Sequence, residues 1–228
     1  DFAIDVDAIL AACKESTRLI FICSPNNPTG TVLARDELER LLKERGDASA
    51  IVVDEAYIEF GDKPSVTELL GRYSNLLVLR TLSKALGFAG ARCGAVAGPA
   101  DVIGILNAVQ APYALATPVV ECVEDALQYD QLLLAEQAVL ETIAERERLV
   151  VALTNYDFVG KVWPSDANFL LVRFDDAAAV MRRCQEQNVL LRHFGGALDD
   201  CIRISVGSRD ENDQLLRALD TLKGTDNG

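Results

Sequence analysis

Apolar residues along the first half of the chain gather into short runs that end abruptly at turn residues. Leu19–Cys23, Ala50–Val53 and Asn75–Leu79 are such runs, rich in Leu, Ile and Val, and each reads as a strand buried on both faces. Between them the spacing changes. Arg35–Arg45 puts Leu38, Leu41 and Leu42 on one side of a helix, and Asp7–Glu15 reads as another. Ser65–Leu70 reads as a loop with a short helix, and Arg92–Ala97 as a further strand. Pro99-Ala100-Asp101 starts a helix, since proline suits a first turn. This alternation predicts an α/β fold with a mainly parallel sheet covered on both faces.

The pattern shifts after Thr117-Pro118, which opens a second helical region. Asp130–Asn155 contains no Gly or Pro and reads as one long helix, with Glu141, Glu145, Arg146 and Arg148 on its wet side. Asn168–Phe174, Val189–Arg192 and Cys201–Val206 then read as strands, and Ala177–Gln187 and Asp210–Leu222 as helices. The expected division is a large unit over residues 1–128 and a small α+β unit over residues 129–228, which includes the long helix. The tail, Gly224–Gly228, is expected to fray.

Composition narrows the function classes. Half of the 228 residues are apolar, enough for a sizeable core. No run approaches the roughly 20 apolar residues of a membrane span. A net charge of −13 disfavours nucleic acid and anionic membranes as partners, and suits a cytoplasmic protein that keeps positive charge locally for anionic ligands. The opening residues, Asp1-Phe2-Ala3-Ile4-Asp5, show no signal-peptide pattern. Six cysteines, with no C-x-x-C spacing, read as buried free thiols in a reducing compartment. His193 is the one histidine, so no metal site can use two; it is read as structural or pocket-lining.

Candidate chemistry sits where the strands end. Lys84, in Arg80-Thr81-Leu82-Ser83-Lys84-Ala85-Leu86-Gly87, follows the run Leu76–Leu79. A lysine partly desolvated there has a lowered pKa and can form a Schiff base with an aldehyde. Hydroxyls at Thr81 and Ser83, with the guanidinium of Arg92, are what a phosphate needs nearby. An aldehyde and a phosphate on one molecule suggest pyridoxal 5'-phosphate. Upstream, Ser24-Pro25-Asn26-Asn27-Pro28-Thr29-Gly30 forces a rigid loop that can hold the Asn27 amide in one orientation. In isolation this motif reads as a plain strand-to-helix turn. Asp54, in Val53-Asp54-Glu55-Ala56-Tyr57, could face a cationic ring nitrogen; equally, it could cap the next helix while Tyr57 packs. Asn27, Asp54 and Lys84 each lie at a carboxyl strand end, where open α/β sheets bind ligands, so one crevice could hold all three.

In this combination the motifs resemble the fold-type I pyridoxal-phosphate aminotransferases, and within them the histidinol-phosphate aminotransferase group. Ala89-Gly90-Ala91-Arg92-Cys93-Gly94, Ala111-Pro112-Tyr113, Asn168-Phe169 and Cys201-Ile202-Arg203-Ile204-Ser205-Val206-Gly207 extend the likeness over nearly the whole chain. The resemblance implies a three-layer large domain, here incomplete, followed by a small α+β domain. Lys84 would carry the cofactor and then shuttle a proton at the substrate Cα. Asp54 would pair with the pyridine nitrogen, and Asn27 and Tyr57 would bind the phenolic oxygen. Thr81, Ser83 and Arg92 would hold the phosphate. Arg203 would grip the carboxylate of glutamate or 2-oxoglutarate and the phosphate of the other substrate, with Asn27 beside it and Arg192 as a second phosphate contact. A salt bridge from Arg192 to Asp199 or Asp200 is the structural alternative.

The implied reaction is transamination between glutamate and imidazole-acetol phosphate, giving histidinol phosphate in histidine biosynthesis, by a homodimer. Relatives carry a substantial segment before the Asn27 loop that this sequence lacks. The chain alone is therefore expected to expose an apolar sheet edge, bind cofactor poorly and turn over weakly or not at all. Threonine-phosphate decarboxylases and aromatic amino-acid aminotransferases share these motifs and are the enzymatic alternatives. A non-catalytic binding or oligomerisation piece is the alternative of a different class.

Overall fold

The computed structural model describes residues 2–222; the tail expected to fray lies outside them. Two four-stranded sheets organise the chain. The first follows the order β1 (Leu19–Cys23), β2 (Ala50–Asp54), β3 (Leu76–Thr81), β4 (Gly94–Ala97). β1, β2 and β3 run parallel, and β4 pairs antiparallel with β3. The helix α1 (Val6–Ala12) and the helix α2 (Arg35–Arg45) cover one face. There Ile20, Ile22, Ile51, Val53, Leu76 and Val78 pack against Leu38, Leu41 and Leu42 in one buried cluster.

The expected cover on both faces is incomplete. On the opposite face Val52 and Leu77 are buried, whereas Leu19 and Phe21 of the edge strand β1 stand 58% and 65% exposed. The helices α3 (Ala100–Val109) and α4 (Thr117–Ala126) also leave apolar side chains in the open, among them Ile105, Val109 and Val120.

The long helix α5 (Tyr129–Thr154) leads to the second sheet. Its strands are β5 (Val159–Val162), β6 (Phe169–Phe174), β7 (Arg192–His193) and β8 (Cys201–Ser205), in the order β5-β6-β8-β7 and antiparallel throughout. The helix α6 (Ala177–Glu186) joins β6 to β7, and α7 (Arg209–Asp220) closes the chain under a capping box made by Ser208 and Glu211. Strand alternation sends Leu170, Val172, Phe174, Ile202 and Ile204 into a core with Leu149 and Leu153 of α5 and Leu215 and Leu219 of α7. It turns Phe169 and Arg203 the other way, toward the first sheet.

Several boundaries differ from the sequence reading, most of them by one or two residues. α1 stops at Ala12, where the Cys13 N–H turns back to the Ile9 and Leu10 carbonyls. Arg92 is not in a strand: it follows a short 3-10 turn with φ 52°, and β4 begins only at Gly94. Val189–Leu191 is not strand either, and β7 begins only at Arg192. Val189 closes the end of α6 through its N–H to the Cys184 carbonyl (2.8 Å), and Leu190 is exposed. The cysteines also differ from expectation, since only Cys184 and Cys201 are buried while Cys23 and Cys122 are exposed.

Candidate active site

The carboxyl ends of β1, β2 and β3 lie side by side because the three strands are parallel and in register. Cys23 sits opposite Asp54, and Asp54 opposite Leu79. Cys23, Asp54 and Thr81 therefore share the sheet face away from α1 and α2. The Asp54 carboxylate is half-buried and accepts the Ala56 N–H at 3.0 Å, which fixes the start of the turn carrying Tyr57. Its charge is felt next door: burial first, then Asp54, pushes the Cys23 thiol above its ordinary pKa.

Beyond β3 the Ser83 N–H bonds the Thr81 hydroxyl at 3.1 Å, and the two hydroxyls are 2.9 Å apart. Arg92 is exposed and donates to the Ala89 carbonyl at 3.0 Å. Lys84 is exposed, contrary to the partial desolvation expected from its position after a buried strand. The strand ends before it, and the following residues form an open turn. Its Nζ lies 5.2 Å from the centre of the Tyr57 ring.

Contacts continue from there. Tyr57 is buried and meets Phe169 edge-to-face at 5.2 Å. The Arg203 guanidinium lies 5.2 Å over Phe169, and its Nη1 donates to Asn27 Oδ1 at 2.8 Å. The Arg203 Nε is buried with no hydrogen-bond partner. Arg192 stands directly opposite Arg203 in the β7–β8 ladder and is exposed over Phe194. In the described ion pairs Asp199 faces His193 and Asp200 faces Arg173, so the structural alternative for Arg192 is not formed.

An unbroken path thus links Lys84, Tyr57, Phe169, Arg203 and Asn27, with Asp54 entering through the strand register. The expectation of one crevice holding Lys84, Asp54 and Asn27 is not met by the open cleft of about 860 Å³ bordered by Lys84. That cleft runs between Leu86–Phe88, α4, α5 and Asn168, and neither Asn27 nor Asp54 lines it. Sequence reasoning noted Phe169 but not its place between Tyr57 and Arg203. Only the strand order β6-β8 brings it under the guanidinium.

The donor set suits a phosphorylated aldehyde: an accessible amine, two hydroxyls and a guanidinium beyond β3, and a carboxylate on the same sheet face. The chain matches Aminotransferase class I and II over residues 1–219. It belongs to that family. The chain is 44% identical over 221 residues to a histidinol-phosphate aminotransferase of Xylella fastidiosa (strain 9a5c), with 96% of this chain and 60% of the relative covered. It therefore spans about 60% of the length of the curated relatives it matches. Among solved structures, the histidinol-phosphate aminotransferase of Sinorhizobium meliloti in complex with pyridoxal-5'-phosphate superposes with a TM-score of 0.84 at 25% identity. That superposition covers 97% of this chain and 63% of the other. The L-threonine-O-3-phosphate decarboxylase of Porphyromonas gingivalis shares the fold at a TM-score of 0.80 and 24% identity, covering 96% of this chain and 69% of the other. No helix among the described residues is long and apolar enough to cross a membrane.

Arg146 of α5 ties the two sheets together beneath this path. Its Nη1 donates to the carbonyls of Phe60 (2.9 Å) and Ala167 (2.7 Å), and burial lowers its pKa. Beside it, burial and then Asp62 push the Asp166 carboxyl above its usual range, against the opposing pull of Arg146. The folded carboxyl therefore holds its proton more tightly than the unfolded one. The contribution is intact below the unfolded pKa of about 3.9 and is lost as pH rises through the folded value. Asp166→Asn is accordingly expected to stabilise the chain at pH 8, with the gain vanishing near pH 3. The Asp166 N–H bond to Gly30 is kept. Urea unfolding at both pH values measures this, and a less stable variant at pH 8 would contradict it.

Proposed function

We propose that the protein containing this chain is a pyridoxal-phosphate-dependent aminotransferase of histidine biosynthesis. It would exchange an amino group between glutamate and the phosphorylated pair imidazole-acetol phosphate and histidinol phosphate. The observation that carries this reading is the contact path from Lys84 through Tyr57, Phe169 and Arg203 to Asn27. It supports reading a nucleophilic amine and an anion-binding guanidinium, far apart in sequence, as the two ends of one site. The names of the curated relatives supply the substrate.

Pyridoxal phosphate, when bound, supplies the electron sink for charge developing at the substrate Cα. In this reading Lys84 would hold it through its amine and would serve as the base that moves the proton at that carbon. Asp54 would pair with the ring nitrogen and favour its protonated form. Asn27 and Tyr57 hold the phenolic oxygen, and Thr81, Ser83 and Arg92 bind the phosphate. Arg203, whose Nε lacks a protein partner, grips the substrate anion, with Arg192 opposite it in the ladder as a second contact for a substrate phosphate. Two cationic groups directly opposed across a ladder repel unless an anion lies between them. We also read the protein as a cytoplasmic homodimer, with its large unit ending near residue 128 and the small unit beginning at residue 129.

The test has two arms on the full-length protein supplied with pyridoxal phosphate. Borohydride reduction followed by peptide mass spectrometry is expected to find the pyridoxyl group on Lys84. Glutamate-dependent conversion of imidazole-acetol phosphate is expected without carbon dioxide release. Labelling of Lys84 with release of carbon dioxide from phosphothreonine would overturn the substrate assignment. No label at Lys84 would overturn the cofactor assignment.

A further inference from the structure

We propose that Arg80 and Glu59 act as a positioning clamp that sets the Lys84 segment against Tyr57. The inference rests on the cofactor reading above and adds residues to which that reading gives no role. Strand alternation sends Arg80 to the sheet face opposite Thr81, away from the hydroxyls, so it has no direct line to a phosphate there. Its Nη2 instead donates to Glu59 Oε1 at 2.5 Å, and its Nη1 lies 3.7 Å from Glu55 Oε2. Glu55 is only 1% exposed, and its carboxylate is held by the Ser65 hydroxyl (2.6 Å) and the Val66 N–H (2.7 Å). Arg80 is therefore fastened to the segment 55–60, which also carries Tyr57. Lys84 lies just beyond Arg80 and rests over the Tyr57 ring.

The pair makes a poor stability device. Arg80 Nε and Glu59 Oε2 are both buried without hydrogen-bond partners, and apolar groups of the same size would serve packing as well. What the pair does supply is a fixed distance between the end of β3 and the 3-10 turn Ile58–Phe60, which no strand pairing reaches. β3 ends at Thr81, and the segment running from Leu82 to Arg92 is turn and 3-10 structure, with Lys84 within it. If the clamp opens, fewer molecules present Lys84, Thr81 and Ser83 in the binding arrangement. The apparent affinity for pyridoxal phosphate then falls by that fraction.

Glu59→Gln, Arg80→Lys and Arg80→Met in the full-length protein test this. Three readings are taken: pyridoxal phosphate affinity from absorbance, amide exchange over residues 82–91, and the unfolding midpoint without cofactor. Glu59→Gln is expected to weaken affinity about tenfold and to speed exchange over 82–91, with little change in the midpoint. Arg80→Lys should recover part of what Arg80→Met loses. Unchanged affinity and exchange in Glu59→Gln and Arg80→Met would overturn the clamp, as would an affinity loss that merely tracks a lower midpoint. If the unmutated protein takes up no pyridoxal phosphate at Lys84, the cofactor reading fails, and the exchange data alone decide the clamp.

Discussion

Gly30→Ala is expected to destabilise the chain by about 2–5 kcal/mol and to lower its unfolding midpoint by roughly 4–20 °C. Gly30 has φ +73°, a conformation that a side chain makes costly by about 1–2 kcal/mol. It is also pressed against the second sheet's approach loop. An added Cβ would lie 2.2 Å from the Ser165 hydroxyl and 2.8 Å from Ser165 Cα, so backbone as well as side chain must move. Ser165 is not free to yield, since its hydroxyl donates to the Phe169 carbonyl at 2.6 Å and accepts the Ala167 N–H. Gly87 provides the control. It has the same φ of +73° with nothing within 4 Å, so Gly87→Ala bears the backbone term alone. The difference between the two variants in thermal or urea unfolding isolates the steric term. Equal effects would show that the loops can part at no cost. Because Asp166 N–H also bonds the Gly30 carbonyl, the same displacement pulls the Asn27 loop from Arg203.

That dependence explains which parts of the site were legible in the sequence. β1, β2 and β3 were readable because each leaves a continuous apolar run, ended here by Ser24-Pro25, Asp54 and Arg80, even though β1 is buried on one face alone. The residues at their ends could be named for the same reason, and the register then brought Cys23, Asp54 and Leu79 abreast. Arg92 was misplaced into a strand because its left-handed backbone depends on the turn before it, which carries no periodic signal. Lys84 was expected to be partly desolvated, but it stands exposed on the turn after β3, with its ammonium over the Tyr57 ring.

The Arg80–Glu59–Glu55 group escaped notice for a different reason. A charge next to Thr81 reads as a solvated residue until the β2–β3 pairing sets it above a buried carboxylate. Likewise, no spacing rule joins Asn27 to Arg203 across 176 positions. That bond exists because β8 pairs with β6 and because Phe169 beside it packs on Tyr57. Local pattern thus names the candidates at each strand end, and only the packing of the second sheet on the first decides which of them meet.

Lys84→Ala is expected to leave folding intact and to reduce turnover by about 10²–10⁴-fold in the full-length protein. The two halves of this expectation have separate causes. Lys84 is exposed, and its packing contact is the face of the Tyr57 ring, worth about 0.5–1 kcal/mol at an exposed position. Urea unfolding should therefore barely register the change. On the proposed reading, catalysis would in contrast lose both the covalent anchor and the base at the substrate Cα. Lys84→Arg separates a chemical role from a merely electrostatic one. The guanidinium keeps the positive charge over Tyr57 but stays protonated, so it can neither form the Schiff base nor accept a proton. It should be as inactive as alanine, and neither variant should be labelled by pyridoxal phosphate and borohydride. Recovery of turnover in Lys84→Arg would mean that charge alone is needed there, and the amine would lose its place as the reacting group.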